Sequence, residues 1–453
     1  MQQTNRKRYF LPIRVFLLFA LLLGACSLQG ASPPFSPRED PAATPTDIPS
    51  SLKAVLDPLR LPTTTPTIWL PATEALPAPP DPTTPPDLAG ELPDLAATNP
   101  ALALSLQRLL DDTSTGPYTP GLVMHIAIPG QGQWTGASGL SDRVAQTPMQ
   151  PGDRFRIASV TKMYVATVVL QLVQEGTLTL DDTVERWLPG LVPNGQAITL
   201  RHLLSHTSGL YDYLDGGFEA QYFAHNPPRV WHPSELVRYG VSHQPYFAPG
   251  EPGRWKYSNT NYIILGMIIE RVTGTSLTHQ LRSRIFNPLE LSNTFLEDYE
   301  EIAGGFVCGY ILNDDYSYAS LSVWAAGGIV STASDVATFV RALFGGRLLS
   351  QDMLNEMLTF ADMSGYPLYG LGVAKNVEAF AVATQGVMPQ GTRYPQVWGH
   401  TGGLSGFKSV VGYLPTSGIT IVVLMNQMWV PILPIALDGL DLATGRAAGI
   451  ESN

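Results

Sequence analysis

The amino-acid sequence predicts an α/β body whose first and last strands share one sheet, with helices between them. Three observations carry this reading. Near the start of the foldable part, the apolar "GLVMHIAI", the turn "PGQGQ" and "WTGASGL" (Gly121 to Leu140) read as a hairpin. Near its end, "GFKSVVGYL" and "ITIVVLMN" flank a turn at Pro415 to Gly418 and read as two more strands. The segments between are mostly helical in pattern, and no internal repeat interrupts them. The glycines of "PGQG" are turn residues here and do not form a phosphate loop.

Ahead of the body lie two segments that do not belong to it. Arg6, Lys7 and Arg8 precede the apolar run Val15 to Leu23, the pattern of an export signal. The run is too short for a span, which needs about 20 residues. Leu23-Gly24-Ala25-Cys26 resembles the lipobox of bacterial lipoproteins. That resemblance implies a signal peptide over 1–25, a mature chain starting at a lipidated Cys26, and a protein exported and anchored to the membrane, facing the cell envelope. An ordinary secretory signal, cut after a small residue to leave a free thiol, is the other reading. From 26 to 96 the chain is rich in Pro and Thr, as in "PTTTPTIWLPATEALPAPPDPTTPPD", and reads as a disordered tether.

The body is expected over 97–445. Asn99 before Pro100 marks a helix start, followed by Leu102, Leu106, Leu109 and Leu110 on one face. Ser159 to Glu175 is apolar nearly all round and closes at Gly176, so it reads as a buried helix with a glycine cap. Asn261 to Val272 and Asp335 to Phe344 read as helices, the second capped by Thr332, and "PILPIALDGLDLAT" as a last one.

Across all 453 residues, 27 Lys plus Arg face 38 Asp plus Glu, a net charge of −11. That balance argues against nucleic-acid binding, which needs clustered cations. Only Cys26 and Cys308 occur, too few for a disulfide framework or a cysteine-built metal site. Cys308, in "GGFVCGYIL", reads as a small buried apolar residue. His202 and His206 stand four apart, the spacing of a zinc pair, but without the glutamate of H-E-x-x-H they read as structural. No metal or cofactor is expected.

The chemistry concentrates in three stretches. In "RIASVTKMY", Ser159 and Lys162 stand three apart, so on a helix they share a face one turn apart. Burial and the positive end of the helix both disfavour the ammonium form, making a neutral amine available as a base for a neighbouring hydroxyl. A capping serine beside a snorkelling lysine is the other reading of a bare S-x-x-K. "RWKYSNTNY" supplies Tyr257-Ser258-Asn259, and "VWGHTGGLSGF" supplies His400-Thr401-Gly402-Gly403 leading into a strand.

S-x-x-K, Y-S-N and H-T-G in this order resemble the penicillin-recognising serine hydrolases. The tyrosine is similar to the branch holding class C β-lactamases and low-molecular-mass D-alanyl-D-alanine carboxypeptidases, the β-lactamase-related family. "HLLSHTSGL", "NYIILG" and "AAGGIVSTASDVATF" resemble it too, so the likeness covers roughly residues 98 to 440. It implies a β-lactamase/DD-peptidase-like fold: an antiparallel sheet flanked by helices, with a mainly helical subdomain. It also implies roles. Ser159 forms an acyl-enzyme, Lys162 and Tyr257 exchange the proton, and the N–H groups of Ser159 and Gly403 hold the oxyanion. Asn259 binds the substrate amide, Thr401 its carboxylate end, and the strand at His400 and Gly402 pairs with an extended substrate.

Two departures from the family pattern stand out. "FAPGEPGRWKYSN" carries two more residues than the usual approach to the tyrosine. His400 occupies the place where β-lactamases have lysine, and a histidine anchors a carboxylate less firmly. Arg393 either supplies the missing charge or is a solvated strand residue. The expected reaction is acyl transfer from a cell-wall peptide, as a D-alanyl-D-alanine carboxypeptidase or D-stereospecific peptidase. A carboxylesterase or a β-lactamase on the same scaffold, and a non-turnover sensor of β-lactams or muropeptides, are the alternatives. The partners expected are a peptide, ester or β-lactam substrate and the membrane.

Overall fold

Strand β1 (Leu122–Ile128) is apolar at almost every position because both of its faces are covered. It lies inside a five-stranded antiparallel sheet with β2 (Gly132–Ser138), β3 (Trp398–Leu404), β4 (Phe407–Tyr413) and β5 (Thr420–Met425), in the order β3-β4-β5-β1-β2. The two chain-terminal pairs meet at β1 and β5, with Leu122 opposite Met425. The computed structural model describes residues 92–446 except 116, 117, 119, 224–228, 364, 365 and 384–391. All of them belong to one unit, Asp81–Asn453. The segment 1–25 expected to be a signal peptide, Cys26, and nearly all of the segment expected to be a tether lie outside the described residues.

The two faces of the sheet are separate cores. Leu122, Met124, Ile126, Ile421 and Val423 pack with Leu106 and Leu110 of α1 (Pro100–Thr113), and with Ile435 and Leu440 of the C-terminal helix α5 (Leu433–Thr444). Val123, Val411, Val422 and Leu424 point the other way, into the core of the helical part. That core is built on α2 (Thr161–Gln174), α3 (Asn259–Thr273) and α4 (Ala333–Phe344). The alternation is the period-2 rule of a strand applied to a sheet with helices on both sides.

Local signals set the helix ends. The Asn99 side chain accepts the Leu102 N–H and Pro100 occupies the first turn. Thr332 accepts the Asp335 N–H, and Gly274 closes α3 at φ 68°. Leu95, fully buried in a short helical turn behind the Asp94 cap, already belongs to the core, so the fold begins ahead of the boundary expected at 97.

Two helix starts differ from expectation. α3 begins at Asn259, ahead of Asn261. α2 begins at Thr161, and Ser159 sits instead in a 3-10 turn, Ala158–Val160. Ala158 has φ 48°, a left-handed conformation that disfavours a regular helix at that point.

Candidate active site

The turn carrying Ser159 is held from three sides. Phe155–Arg156 pairs with Ile329–Ser331, and the Ile157 N–H donates to the Ile329 carbonyl. Arg156 is buried, donates to both carboxylate oxygens of Glu297 at 2.8 and 2.7 Å, and lies between the rings of Phe306 and Phe407. Ser409 of β4 donates its hydroxyl to the Ile157 carbonyl at 2.8 Å. The arginine that opens "RIASVTK" is thus a structural anchor for the serine three residues later, and its own charge is paired with Glu297.

Lys162, in the first turn of α2, is completely buried. Its Nζ lies 2.7 Å from Asn259 Oδ1, 2.6 Å from the Ala326 carbonyl and 3.2 Å from Ser159 Oγ. The first two atoms can only accept, so they take the two N–H groups of a neutral amine and leave its lone pair facing the Ser159 hydroxyl. Burial lowers the Lys162 pKa to about 7, against the attraction of Asp212. Near neutral pH the amine is therefore available to accept a proton.

Asn259 is itself held: its Nδ2 donates to Asp212 Oδ2 at 2.8 Å. Its amide oxygen faces Lys162 because its nitrogen faces Asp212. Asn259 was expected to bind the substrate amide, but its oxygen and one N–H are already committed within the protein. Asp212 was not anticipated. It follows directly on the "HLLSHTSGL" stretch, and a lone acid two residues past a recognised motif carries no pattern of its own.

Tyr257 places its ring beside the Lys162 amine, 4.8 Å from centroid to Nζ. Its hydroxyl is buried and makes no hydrogen bond of ordinary geometry among the described residues, although Ser159 stands near enough to favour its ionised form. Burial outweighs that help and pushes the phenol well above its usual range, with Asp212 adding to the effect. Behind it, the His206 ring packs at a tilt with 4.2 Å between ring centroids, and His206 accepts the Ser258 N–H on Nδ1 at 3.2 Å. His202 uses its Nδ1 to cap its own short helix at Thr199. The stretch that contains the two residues in excess of the family pattern, Glu251 to Arg254, is an exposed loop.

Strand β3 completes the site. Gly399 exchanges backbone hydrogen bonds with Ala374 on the outer side of the sheet. By the alternation of an antiparallel strand, Thr401 and Gly403 turn their main-chain groups to that same outer edge. At Gly402 the strand presses on the serine turn: a Cβ there would stand 2.5 Å from the Ile157 carbonyl and 3.0 Å from the Ala158 Cβ. Only a glycine allows this approach. A two-residue turn, Ser405 (φ 42°) and Gly406 (φ 92°), then leads into β4 with the backbone sign of a tight hairpin.

His400 differs from expectation. It was expected to bind substrate, yet it is 0% exposed, with Nδ1 2.5 Å from the Thr401 carbonyl and Nε2 2.8 Å from the Tyr369 hydroxyl. Burial, helped by the Lys162 charge, lowers its pKa to about 3. It is a neutral residue inside an aromatic cluster with Tyr257, Tyr369 and Phe380, and it offers no charge to a carboxylate. Arg393 is no substitute, because its guanidinium pairs with Asp438 and Asp441 of α5 at 2.6 and 3.0 Å. Tyr369 and Phe380 were not anticipated either; both lie in segments without a motif. Cys308 is a partly buried free thiol away from these residues' hydrogen bonds.

A family model described as "Beta-lactamase" matches residues 106–430. The solved structure of a D-stereospecific amidohydrolase from Streptomyces sp. is 33% identical with a TM-score of 0.61, covering 74% of this chain and 97% of that one. The D-amino acid amidase from Ochrobactrum anthropi SV3 complexed with L-phenylalanine amide is 28% identical with a TM-score of 0.63, covering 76% and 97%. Esterase EstB from Burkholderia gladioli is 36% identical over 42% of this chain and 50% of its own length. The matches span from 50% to 66% of the length of the curated relatives that are 30% to 36% identical. With its antiparallel sheet and helical part, the chain belongs to the β-lactamase family of serine hydrolases.

Proposed function

We propose that the protein hydrolyses peptide-like amides of D-amino acids through an acyl-enzyme on Ser159. The observation that carries this is the fully buried Lys162 amine, its pKa lowered by burial to about 7, standing 3.2 Å from the Ser159 hydroxyl. Ser159 Oγ attacks the carbonyl as Lys162, with Tyr257 beside it, takes its proton. The N–H groups of Ser159 and Gly403 receive the oxyanion, and the leaving amine regains the proton from the Lys162–Tyr257 pair. Thr401, Gly402 and Gly403 lie along the outer edge of β3, where an extended substrate adds as a further strand. No cofactor enters this reaction.

Of the two peptide chemistries expected from the sequence, a D-stereospecific peptidase or amidase fits better than a carboxypeptidase. A carboxypeptidase must hold a free carboxylate, and with His400 and Arg393 both engaged elsewhere the uncharged Thr401 is left to hold it without a cation. The similarity to a D-stereospecific amidohydrolase and a D-amino acid amidase supports the same choice. Hydrolysis of simple esters is the second reading, favoured by the 36% identity to an esterase.

The sequence of 1–26 supports an exported protein anchored through a lipidated Cys26, with the Pro/Thr-rich segment as its tether. Metabolic labelling with a fatty acid should mark the wild type and not Cys26→Ala; equal labelling rejects the anchor. For the activity, the purified body is given D-alanine amide peptides, the same peptides with a free carboxylate, a short acyl ester and a chromogenic cephalosporin. The reading expects the D-amide to be turned over best. Preference for the carboxylate peptide, or a stable adduct with no product from any of them, rejects it.

A further inference from the structure

We propose that Asp212 is a positioning residue for this reaction: acting through the amide of Asn259, its buried carboxylate is the counter-ion of Lys162 once the amine has taken the proton of Ser159. This rests on Ser159 and Lys162 being nucleophile and base.

All three contacts of Lys162 Nζ are to neutral groups, Ser159 Oγ, Asn259 Oδ1 and the Ala326 carbonyl. When Ser159 Oγ bonds to the substrate carbon, the carbonyl π pair moves to oxygen and the serine proton moves to Nζ. The amine then carries a full positive charge with no carboxylate in contact, at a fully buried position. Asp212 lies one side chain away. It is buried, forms no ion pair among the described residues, and accepts Asn259 Nδ2–H at 2.8 Å and the Leu214 N–H at 3.1 Å. Two N–H donors and no proton-accepting partner suit a carboxylate that stays ionised.

The Asn259 amide links the two charges. Donation from Nδ2 to Asp212 polarises the amide and enriches Oδ1, the atom that faces Lys162, so the new ammonium is stabilised along a hydrogen-bonded chain. When the leaving group takes the proton back and the acyl–nitrogen bond breaks, Lys162 returns to neutrality and Asp212 has not changed its protonation. This is the division of labour of a nucleophile, base and buried acid, with an asparagine inserted between base and acid.

The other titratable groups do not compete for the role. Around Lys162 stand the rings of Tyr257 and Tyr262, and His206 and His400, both kept neutral by burial. Around Asp212 stand Asp215, Tyr213 and Tyr246; Asp215 accepts the Tyr246 hydroxyl and raises the Asp212 pKa by repulsion, secondary to burial.

Asp212→Asn keeps an oxygen for Asn259 and removes the charge; Asp212→Glu keeps the charge. The assay is p-nitrophenyl acetate hydrolysis by the full folded chain from pH 5 to 10, with Ser159→Ala as the blank and circular dichroism to confirm folding. In Asp212→Asn the rising limb of kcat/KM moves down by roughly one pH unit and the plateau falls about ten- to a hundredfold. In Asp212→Glu the limb stays in place. A purely structural role would lower the plateau without moving the limb, so an unmoved limb in Asp212→Asn overturns the proposal. Should Asp212→Asn not fold, Asp212→Glu decides: a displaced limb overturns it. If wild type releases no Ser159-dependent nitrophenol, the assignment of the nucleophile has failed. The coupling is then read from unfolding temperature against pH, whose rise with Lys162 deprotonation starts at lower pH in Asp212→Asn; superimposed curves overturn it.

Discussion

The Tyr369 hydroxyl lies 2.8 Å from His400 Nε2, and this contact fixes the tautomer in the middle of the H-T-G strand. The carbonyl of Thr401 faces Nδ1, so Nδ1 carries the hydrogen and Nε2 accepts from the phenol. The imidazole is a buried spacer between the edge strand and the aromatic cluster.

Tyr369→Phe should leave Nε2 without a donor inside that cluster. The expected cost is about 1–3 kcal/mol, read as a lower unfolding temperature, with reduced kcat if β3 shifts. An unchanged unfolding temperature would show the contact to be incidental.

His400→Lys would strengthen a carboxylate anchor if the position faced substrate, as the sequence alone suggests. With the side chain fully enclosed, an ammonium there lacks both water and a counter-ion. The expected outcome is destabilisation, with activity falling on neutral and carboxylate substrates alike; selective improvement on carboxylates would contradict it.

Gly402 and Gly403 should respond unequally to alanine. A Cβ on Gly402 would stand 2.4 Å from Ser409 Oγ and 2.5 Å from the Ile157 carbonyl, so β3 must retreat from the serine turn. Overpacking of this kind costs about 1–3 kcal/mol, and hydrolysis should drop sharply as the oxyanion site opens. On Gly403 the nearest atoms are those of Met428 at 3.9 Å, and the fold should tolerate the change. Thermal unfolding and kcat of the two variants, side by side, test this.

The pH profile follows from the amine. Lys162 must be neutral to accept the serine proton and its pKa is lowered to about 7 by burial, so kcat/KM should climb as pH rises through that value. Lys162→Arg stays charged throughout and should be inactive at every pH. A profile flat from pH 5 to 9 would exclude Lys162 as the base.

Stability has its own titration, away from the site. His125 is buried in β1 against Thr135, and burial, with Arg341 second, lowers its pKa from 6.5 to about 4. The native state keeps it neutral while the unfolded chain protonates it below pH 6.5. Its contribution is complete above 6.5 and is lost as pH falls toward 4, up to about 3 kcal/mol. His125→Gln should flatten that part of the curve of unfolding temperature against pH.

How much of this was legible in the sequence depends on the range of the signal. Ser159, Lys162, Tyr257 and Asn259 sit in short patterns whose residue types answer one chemical need, and the structure brings them together. The hairpin Leu122 to Ser138 and the pair β4 and β5 were legible because apolar runs between turn residues define them locally. The left-handed Ala158 that detaches Ser159 from α2 was not, because it is imposed by packing against β3 and Ile329. Asp212, Tyr369 and the burial of His400 were hidden for a related reason: each depends on which distant segment lies opposite. Residue type alone made His400 look like a weak cation, while its surroundings make it neutral.

The central claim is that Ser159 is acylated with Lys162 as base. Intact-mass spectrometry after exposure to a β-lactam and to a D-amino acid amide peptide, followed by peptide mapping, tests it directly. The account predicts an adduct of one acyl group mapped to Ser159, absent in Ser159→Ala and Lys162→Arg although both remain folded. An adduct on another residue, or one that survives in Ser159→Ala, would contradict it.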